Sequence, residues 1–516
     1  MIIRLDISLF EVYDDESSVQ FSNFVEAGFT NRAATFLNHY IINQTSNITN
    51  VPFFINCICY CQVAIHETES CAGFEKYSRL LCGAHYKSQT LIQANMNHLT
   101  QLVWPNVLNR FIRRDRWLSL SSKLSGCHFH KTTTVSAASS FRISFILHCD
   151  LEIIKVKQEK MQQKPEPGSE LLFGHLFSDH MLEIEWTAKK GWSRPLICPL
   201  HDLIMHPAAK VLHYATELFE GMKAYRCDDG RINLFRVEKN MERMYRSAVR
   251  ATLPTFDTNE LKKLICELVN IDADWVPKSP GSLYIRPTLI ATEPTLGISH
   301  AEQALLFVLT GPVGQYYSTG FKPVSLYADP TCCRSFPGGV GQYKMGCNYA
   351  PTILISKIAA SKNCQQVLWL FGEEQWITEV GSMNIFMYWE NEQGDNELVT
   401  APLYDGIILP GITRDSILHL GRQMHDIKVT ERYVQMEEVR RAIREGRMYE
   451  MFGTGTACVV SPVDRILYKN PSTGDFEEMT IPTITHKPNL MQKLYQTVVD
   501  IQYGKTKKPE WTTEVT

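Results

Sequence analysis

From residue 181 onward the chain interleaves short runs of strand period with longer runs of helical period, which limits it to an α/β or α+β architecture. Residues 181–186 alternate apolar and polar, as a half-buried strand does. Two strand-like runs, 221–226 and 232–235, flank Asp228-Asp229-Gly230 and predict a hairpin. Helical periods cover 239–251 and 259–269, the second placing Leu261, Leu264, Ile265 and Leu268 on one face. Further strands are predicted over 283–287, 304–309, 324–328, 366–370 and 448–452. Helices are predicted over 350–360, from the loop at 409–415 through 420, and over 436–445, where Gly446 is suited to end the last. Residues 377–386 read as a turn running into a strand.

The polar, proline- and glycine-rich stretch 162–169 marks a boundary before this alternation. The expected organisation of the 516 residues is an N-terminal extension over 1–150, disordered or targeting in character, then a small α/β domain over 151–312, an interdomain loop over 313–324 and a large α/β domain over 325–516. Residues 96–148 are rich in arginine, lysine and serine, with Asp115 as the single acid, like a transit peptide behind Met96. That pattern predicts a mitochondrial or cytoplasmic protein.

A net charge of −3 carries no footprint for nucleic acid or a membrane surface. The apolar run 51–65 is broken by Pro52, Asn56 and Gln62 and is shorter than the roughly 20 residues a bilayer requires. The 15 cysteines are not spaced as paired metal hooks, so no metal is expected, and in a chain of this size they suit a reducing compartment.

The chemistry gathers around one lysine. Lys344 sits in Gly338-Gly339-Val340-Gly341-Gln342-Tyr343-Lys344-Met345-Gly346, with Tyr349 five positions on. Glycines let backbone approach a bulky flat ligand closely, and an amine held there is a candidate nucleophile. Arg243, on a helical face, offers a fork able to hold a phosphate bidentately. Gly411-Ile412-Thr413 opens a helix whose free amides suit a phosphate. Gly453-Thr454-Gly455-Thr456 adds hydroxyls and amides on a turn, and Glu379 is placed to be a buried carboxylate. Each feature alone also fits a plain turn or a surface side chain.

In order and spacing, however, the chain from about residue 151 to its end resembles the branched-chain amino acid aminotransferases, class IV pyridoxal-phosphate enzymes. The segments that carry the resemblance include Leu212-His213-Tyr214, Leu218-Phe219-Glu220-Gly221-Met222-Lys223-Ala224, Asn240-Met241-Glu242-Arg243-Met244 and Tyr284-Ile285-Arg286-Pro287. Glu293-Pro294-Thr295-Leu296-Gly297, the lysine loop, Thr378-Glu379-Val380-Gly381-Ser382-Met383-Asn384 and Leu409-Pro410-Gly411 complete the set. Residues before about 151 lie outside it. Two other class IV activities, D-amino acid aminotransferase and aminodeoxychorismate lyase, match the stretches 212–223 and 284–287 less well.

The resemblance implies the two-domain class IV fold, of the D-amino acid aminotransferase type, and pyridoxal 5'-phosphate as cofactor. It implies that Lys344 binds the cofactor covalently and shuttles a proton, that Glu379 faces the pyridine nitrogen, and that Tyr349 faces the ring oxygen. Arg243, the amides of Ile412 and Thr413, and Thr456 would hold the phosphate, and Ser382 stands in the cofactor site where threonine is usual. Phe173, Tyr214, Phe219, Tyr284 and Tyr349 would wall an apolar side-chain pocket. The Thr456–Ala457 turn would receive the substrate carboxylate, and Arg286 the second carboxylate of glutamate. The implied reaction is a ping-pong transfer from leucine, isoleucine or valine to 2-oxoglutarate, and the implied assembly is a homodimer. Vertebrate members carry a Cys-x-x-Cys pair after the threonine turn, whereas Cys458-Val459-Val460-Ser461 keeps the first cysteine alone. Cys347 replaces a usual glycine close to Lys344.

Overall fold

The computed structural model describes residues 145–166, 168–314 and 322–515. The predictions for the extension up to 144, and most of the expected interdomain loop, lie outside these residues. The described chain is built on two large sheets, as the interleaved periods predicted. The first has ten strands. Its central path runs His180–Thr187, Gln303–Val313, Ser282–Ala291, Met222–Arg226 and Ile232–Phe235, each antiparallel to the next. Leu196–Pro199 extends it on one side, and Glu217–Phe219 pairs with Ser282–Ala291 off the main path. The end of the chain returns to this sheet, where Thr512–Glu514 pairs with Ile232–Phe235.

The second sheet has nine strands. Trp376–Val380, Gln366–Phe371, Val324–Ala328, Val459–Lys469, Met448–Gly455 and Met383–Glu390 pair in succession, and the last pairs back with the first. That closed circuit leaves those strands no free edge between them. Met383–Glu390 also carries Asn396–Thr400 outward.

The helices form where apolar residues recur on one face. In Val237–Arg250 the buried Val237, Met241, Met244 and Ala248 follow the helical spacing. In Thr258–Ile271 the four predicted apolar residues are buried, and Asp257 caps the start by accepting from the amides of Asn259 and Glu260. Both helices pack into the first core with strand residues such as Leu182, Leu283 and Leu306, each such burial being worth roughly 1.5–3 kcal/mol. Gly446, at φ +71°, follows Met436–Arg444 in the left-handed conformation expected of it.

One local prediction needs correction. Residues 377–386 are not a turn followed by a strand but two antiparallel strands around Gly381-Ser382. Glycine takes the positive φ of +55° that this tight reversal requires, and the preceding residues are already paired with Gln366–Phe371.

Candidate active site

The lysine loop is fastened to the first sheet and its helix through the backbone of Lys344. The Phe219 amide donates to the Lys344 carbonyl at 3.0 Å, and the Lys344 amide donates to Ser247 Oγ at 3.1 Å. Asn348 Nδ2 donates to the carbonyls of Val340 and Tyr343, both at 2.7 Å, and so ties the loop to itself. At Gly341 any Cβ would overlap the Ile407 carbonyl oxygen, so the close approach of the two segments requires glycine there.

The side chain of Lys344 is then held among aromatic rings. Its Nζ donates to the Tyr349 hydroxyl at 3.1 Å and lies 4.8 Å from the centroid of Phe219. Phe219 and Tyr349 are themselves 5.0 Å apart. The Arg286 guanidinium also lies 4.8 Å from the Phe219 centroid, and its Nη2 donates to the Tyr284 hydroxyl at 3.0 Å. Phe173 meets Tyr284 edge-on at 4.8 Å. A continuous string of contacts therefore joins Phe173, Tyr284, Arg286, Phe219, Lys344 and Tyr349. Tyr214 stands apart from that string, with its hydroxyl donating to the Leu296 carbonyl.

A cavity beside Tyr349 is lined by Glu379, Arg334, Ser382, Trp369 and Leu409. Glu379 is 3 % exposed. Its Oε1 accepts from Asn384 Nδ2 at 3.1 Å and from the Leu409 amide at 3.2 Å, and its Oε2 pairs with Arg334. Burial pushes this carboxyl above the usual carboxylate range, and the charges of Arg334 and Lys344 with the Leu409 amide pull it back only in part.

Arg243 departs from the expected phosphate fork. Its Nε and Nη2 close on the carboxylate of Glu220 at 2.7 and 2.8 Å, because that carboxylate is fully buried and needs a counter-charge. Burial alone would raise the Glu220 carboxyl, but Arg243, Lys344 and Asn240 hold it below the usual range. The remaining arm, Nη1, donates to the Pro410 carbonyl at 3.0 Å. That contact brings Arg243 to the loop before Ile412–Gly421, a helix whose Gly411 cap has no side chain and whose first amides, Ile412 and Thr413 among them, have no partner within the helix.

Thr456 and Ala457 form the turn between Met448–Gly455 and Val459–Lys469. The Ala457 carbonyl accepts from Lys223 Nζ at 2.7 Å. Beneath the turn Cys458 is buried, 3.3 Å from the Met383 sulfur, and burial pushes its thiol up to about 12. Burial also raises the half-buried Cys347 thiol. Neither is a ready thiolate.

Sequence reasoning assigned no role to Glu220, Arg334, Ser247 or Lys223. Glu220 and Lys223 did lie in the segment 218–224 that carries the resemblance, Lys223 as a charge inside the strand-like run 221–226; Arg334, beside two cysteines in a loop, left no signal.

The residues present fit a phosphorylated pyridine. Among the described residues six buried side-chain polar atoms have no hydrogen-bond partner, and three of them, Arg334 Nε, Arg286 Nε and Thr454 Oγ1, belong to the segments described above. They accompany an uncapped helix start, a buried carboxyl and an amine on a close-packed loop. Glu379, Tyr349, Ser382, Arg243, Ile412, Thr413 and Thr456 are the residues that would hold it, with Lys344 as the point of attachment.

Residues 217–466 match the family model described as amino-transferase class IV. A cytosolic branched-chain-amino-acid aminotransferase of Caenorhabditis elegans is 58% identical over 369 residues, covering 71% of this chain and 89% of that protein. The cytosolic enzyme of Rattus norvegicus is 51% identical over 70% of this chain and 87% of its own length. The mitochondrial enzyme of Bos taurus is 50% identical over 73% and 92%. Among solved structures, a branched-chain aminotransferase from Thermobaculum terrenum superposes with a TM-score of 0.52 at 20% identity, covering 66% of this chain and all of that one, which shows the fold. With identity at this level across nearly the whole length of those relatives, the chain belongs to the branched-chain-amino-acid aminotransferase family of class IV, whose members are pyridoxal-phosphate-dependent enzymes.

Proposed function

We propose that the enzyme transfers the amino group of leucine, isoleucine or valine to 2-oxoglutarate by a ping-pong mechanism on pyridoxal 5'-phosphate, yielding the branched-chain 2-oxo acid and glutamate. The observation that carries this reading is the pairing of Lys344 Nζ with the Tyr349 hydroxyl beside a cavity that Tyr349 shares with the buried Glu379.

The bound cofactor supplies an electron sink for the pair released at the substrate α-carbon. The chain's own residues do the rest. Lys344 Nζ takes the α-proton and returns it, and the Tyr349 hydroxyl, 3.1 Å away, orients that amine. Glu379, a buried carboxylate whose charge is supported by Arg334, would keep the proton on the pyridine nitrogen. The Nη1 arm of Arg243, which reaches the loop before Ile412, the amides of Ile412 and Thr413, and Thr456 would hold the phosphate, with Ser382 completing the cavity wall. The Thr456–Ala457 turn binds the α-carboxylate. Phe173, Tyr214, Phe219 and Tyr284 exclude water from an aliphatic side chain, and Arg286 receives the distal carboxylate of glutamate.

Residues 151–312 and 325–516 are read as the two domains, joined through 313–324, and the assembly as a homodimer. The relatives include proteins named cytosolic and mitochondrial, and the reading for this chain keeps those two compartments. Among the described residues no helix is long and apolar enough to cross a membrane.

The test is a visible spectrum of the cofactor-loaded protein beside Lys344→Ala, before and after leucine, with glutamate assayed after 2-oxoglutarate is added. A lysine-dependent band bleached by leucine, with glutamate formed, is expected. A loaded wild type without the band and without glutamate sinks the proposal.

A further inference from the structure

Glu183, Cys198 and His201 converge on the first sheet, away from the lysine loop in the order of strands. Glu183 lies on His180–Thr187, Cys198 on the neighbouring Leu196–Pro199, and His201 two residues beyond that strand's end. Glu183 pairs with Leu196 and Cys198 with Met181, so both side chains point to the same face. One ligand atom from each of the three lies within 4.8 Å of the other two. His201 Nε2 is 3.5 Å from Glu183 Oε2.

The imidazole is already set for coordination. His201 Nδ1 lies 2.9 Å from the Asp202 carbonyl oxygen. A carbonyl only accepts, so Nδ1 is the nitrogen that donates to it, and Nε2 is the nitrogen that faces Glu183. A ligating histidine is commonly fixed in this way through its other nitrogen. From these placements we infer that Glu183, Cys198 and His201 form a zinc site, with water in the fourth position on the exposed side of His201.

The donor set selects the metal. A thiolate, an imidazole and a carboxylate suit zinc, whereas calcium and magnesium require more oxygens. At zinc–ligand distances of about 2.0–2.3 Å, tetrahedral ligands stand roughly 3.3–3.8 Å apart, so the group closes by side-chain rotation of about an ångström. On binding, the Cys198 S–H bond breaks, the sulfur's pair goes to the metal and the proton leaves to solvent. The exposed half of the group gives a path for entry, since His201 is exposed and Glu183 partly so. No metal was expected from the cysteine spacing because one ligand comes from a different strand.

The experiment is a cobalt(II) titration of the full-length, cofactor-loaded protein, read from the visible bands of four-coordinate cobalt and then by zinc displacement. Wild type is expected to bind one zinc-displaceable ion per chain. Cys198→Ser, His201→Ala and Glu183→Gln are each expected to lose zinc affinity beyond the roughly 10–100-fold that an outer-shell partner is worth. Unchanged transaminase turnover in these variants checks their folding. In wild type, zinc should also protect Cys198 from alkylation, followed by peptide mass spectrometry, so the inference is tested even if a variant does not fold. Equal binding in wild type and Cys198→Ser, or alkylation of Cys198 that zinc does not slow, overturns it.

Discussion

The Glu220 carboxylate closes the fork of Arg243, accepting from Nε at 2.7 Å and from Nη2 at 2.8 Å, in a pair that is 0 and 5 % exposed. Glu220→Gln leaves the guanidinium buried without its counter-charge and should cost about 3–5 kcal/mol. Because the folded chain holds the Glu220 carboxyl below its unfolded value, the pair's stability is present above the unfolded pKa and is lost as pH falls through the folded one. Urea unfolding of wild type and variant should therefore show a gap at neutral pH that narrows in acid. A constant gap would assign the loss to packing.

Tyr349→Phe removes the hydroxyl that accepts from Lys344 Nζ and keeps the ring 5.0 Å from Phe219. Folding should be unaffected and turnover should fall by about 10²-fold, at the low end of what a positioned acid–base group contributes. The check is single-turnover kinetics with leucine beside a thermal melt. A normal rate would remove the hydroxyl from the mechanism.

What the sequence made legible and what it hid divide along physical lines. The meeting of Lys344 with Tyr349 and the burial of Glu379 were readable because each sits in a short motif whose glycines or fixed spacing constrain the local backbone. The hairpin at Asp228-Asp229-Gly230 and the buried face of Thr258–Ile271 were readable for the same reason, since turn chemistry and helical period are local. The partner of Arg243 was not readable, because an ion pair spanning 23 residues leaves no period, nor was the contact from Lys223 to Ala457, 234 residues apart. The strand before Gly381 was taken for a turn because its pairing partners lie on other segments of the chain.

Glu379→Gln keeps the size of the side chain and an acceptor oxygen for the Asn384 and Leu409 donors, but it removes the charge that faces Arg334 and cannot hold a proton on a pyridine nitrogen. Turnover should drop by roughly 10²–10³-fold, the range seen when one preorganised electrostatic partner is removed. The cofactor's phosphate contacts lie elsewhere, so the protein should still load. Stopped-flow measurement of the leucine half-reaction in the loaded variant tests this, and an unchanged rate would exclude the residue from the proton-holding role.

Lys223 is 7 % exposed, and burial lowers its ammonium to about 8 from the usual 10.5. Its hydrogen bond of 2.7 Å to the Ala457 carbonyl holds the turn proposed to bind the substrate carboxylate. As pH rises through about 8 the charge is lost, so KM for leucine should rise there while kcat changes little. In Lys223→Met, KM should be high at every pH and that limb of the profile should be absent. Stability has its own sign: between the folded value near 8 and the unfolded 10.5 the unfolded chain binds more protons, so wild type gains stability relative to the variant, by at most about 3 kcal/mol. Below that window the buried charge counts fully against the fold. Urea unfolding on both sides of the window, with KM measured on the same samples, separates the turn-holding role from simple packing. A KM profile identical in wild type and variant would leave Lys223 a core residue only.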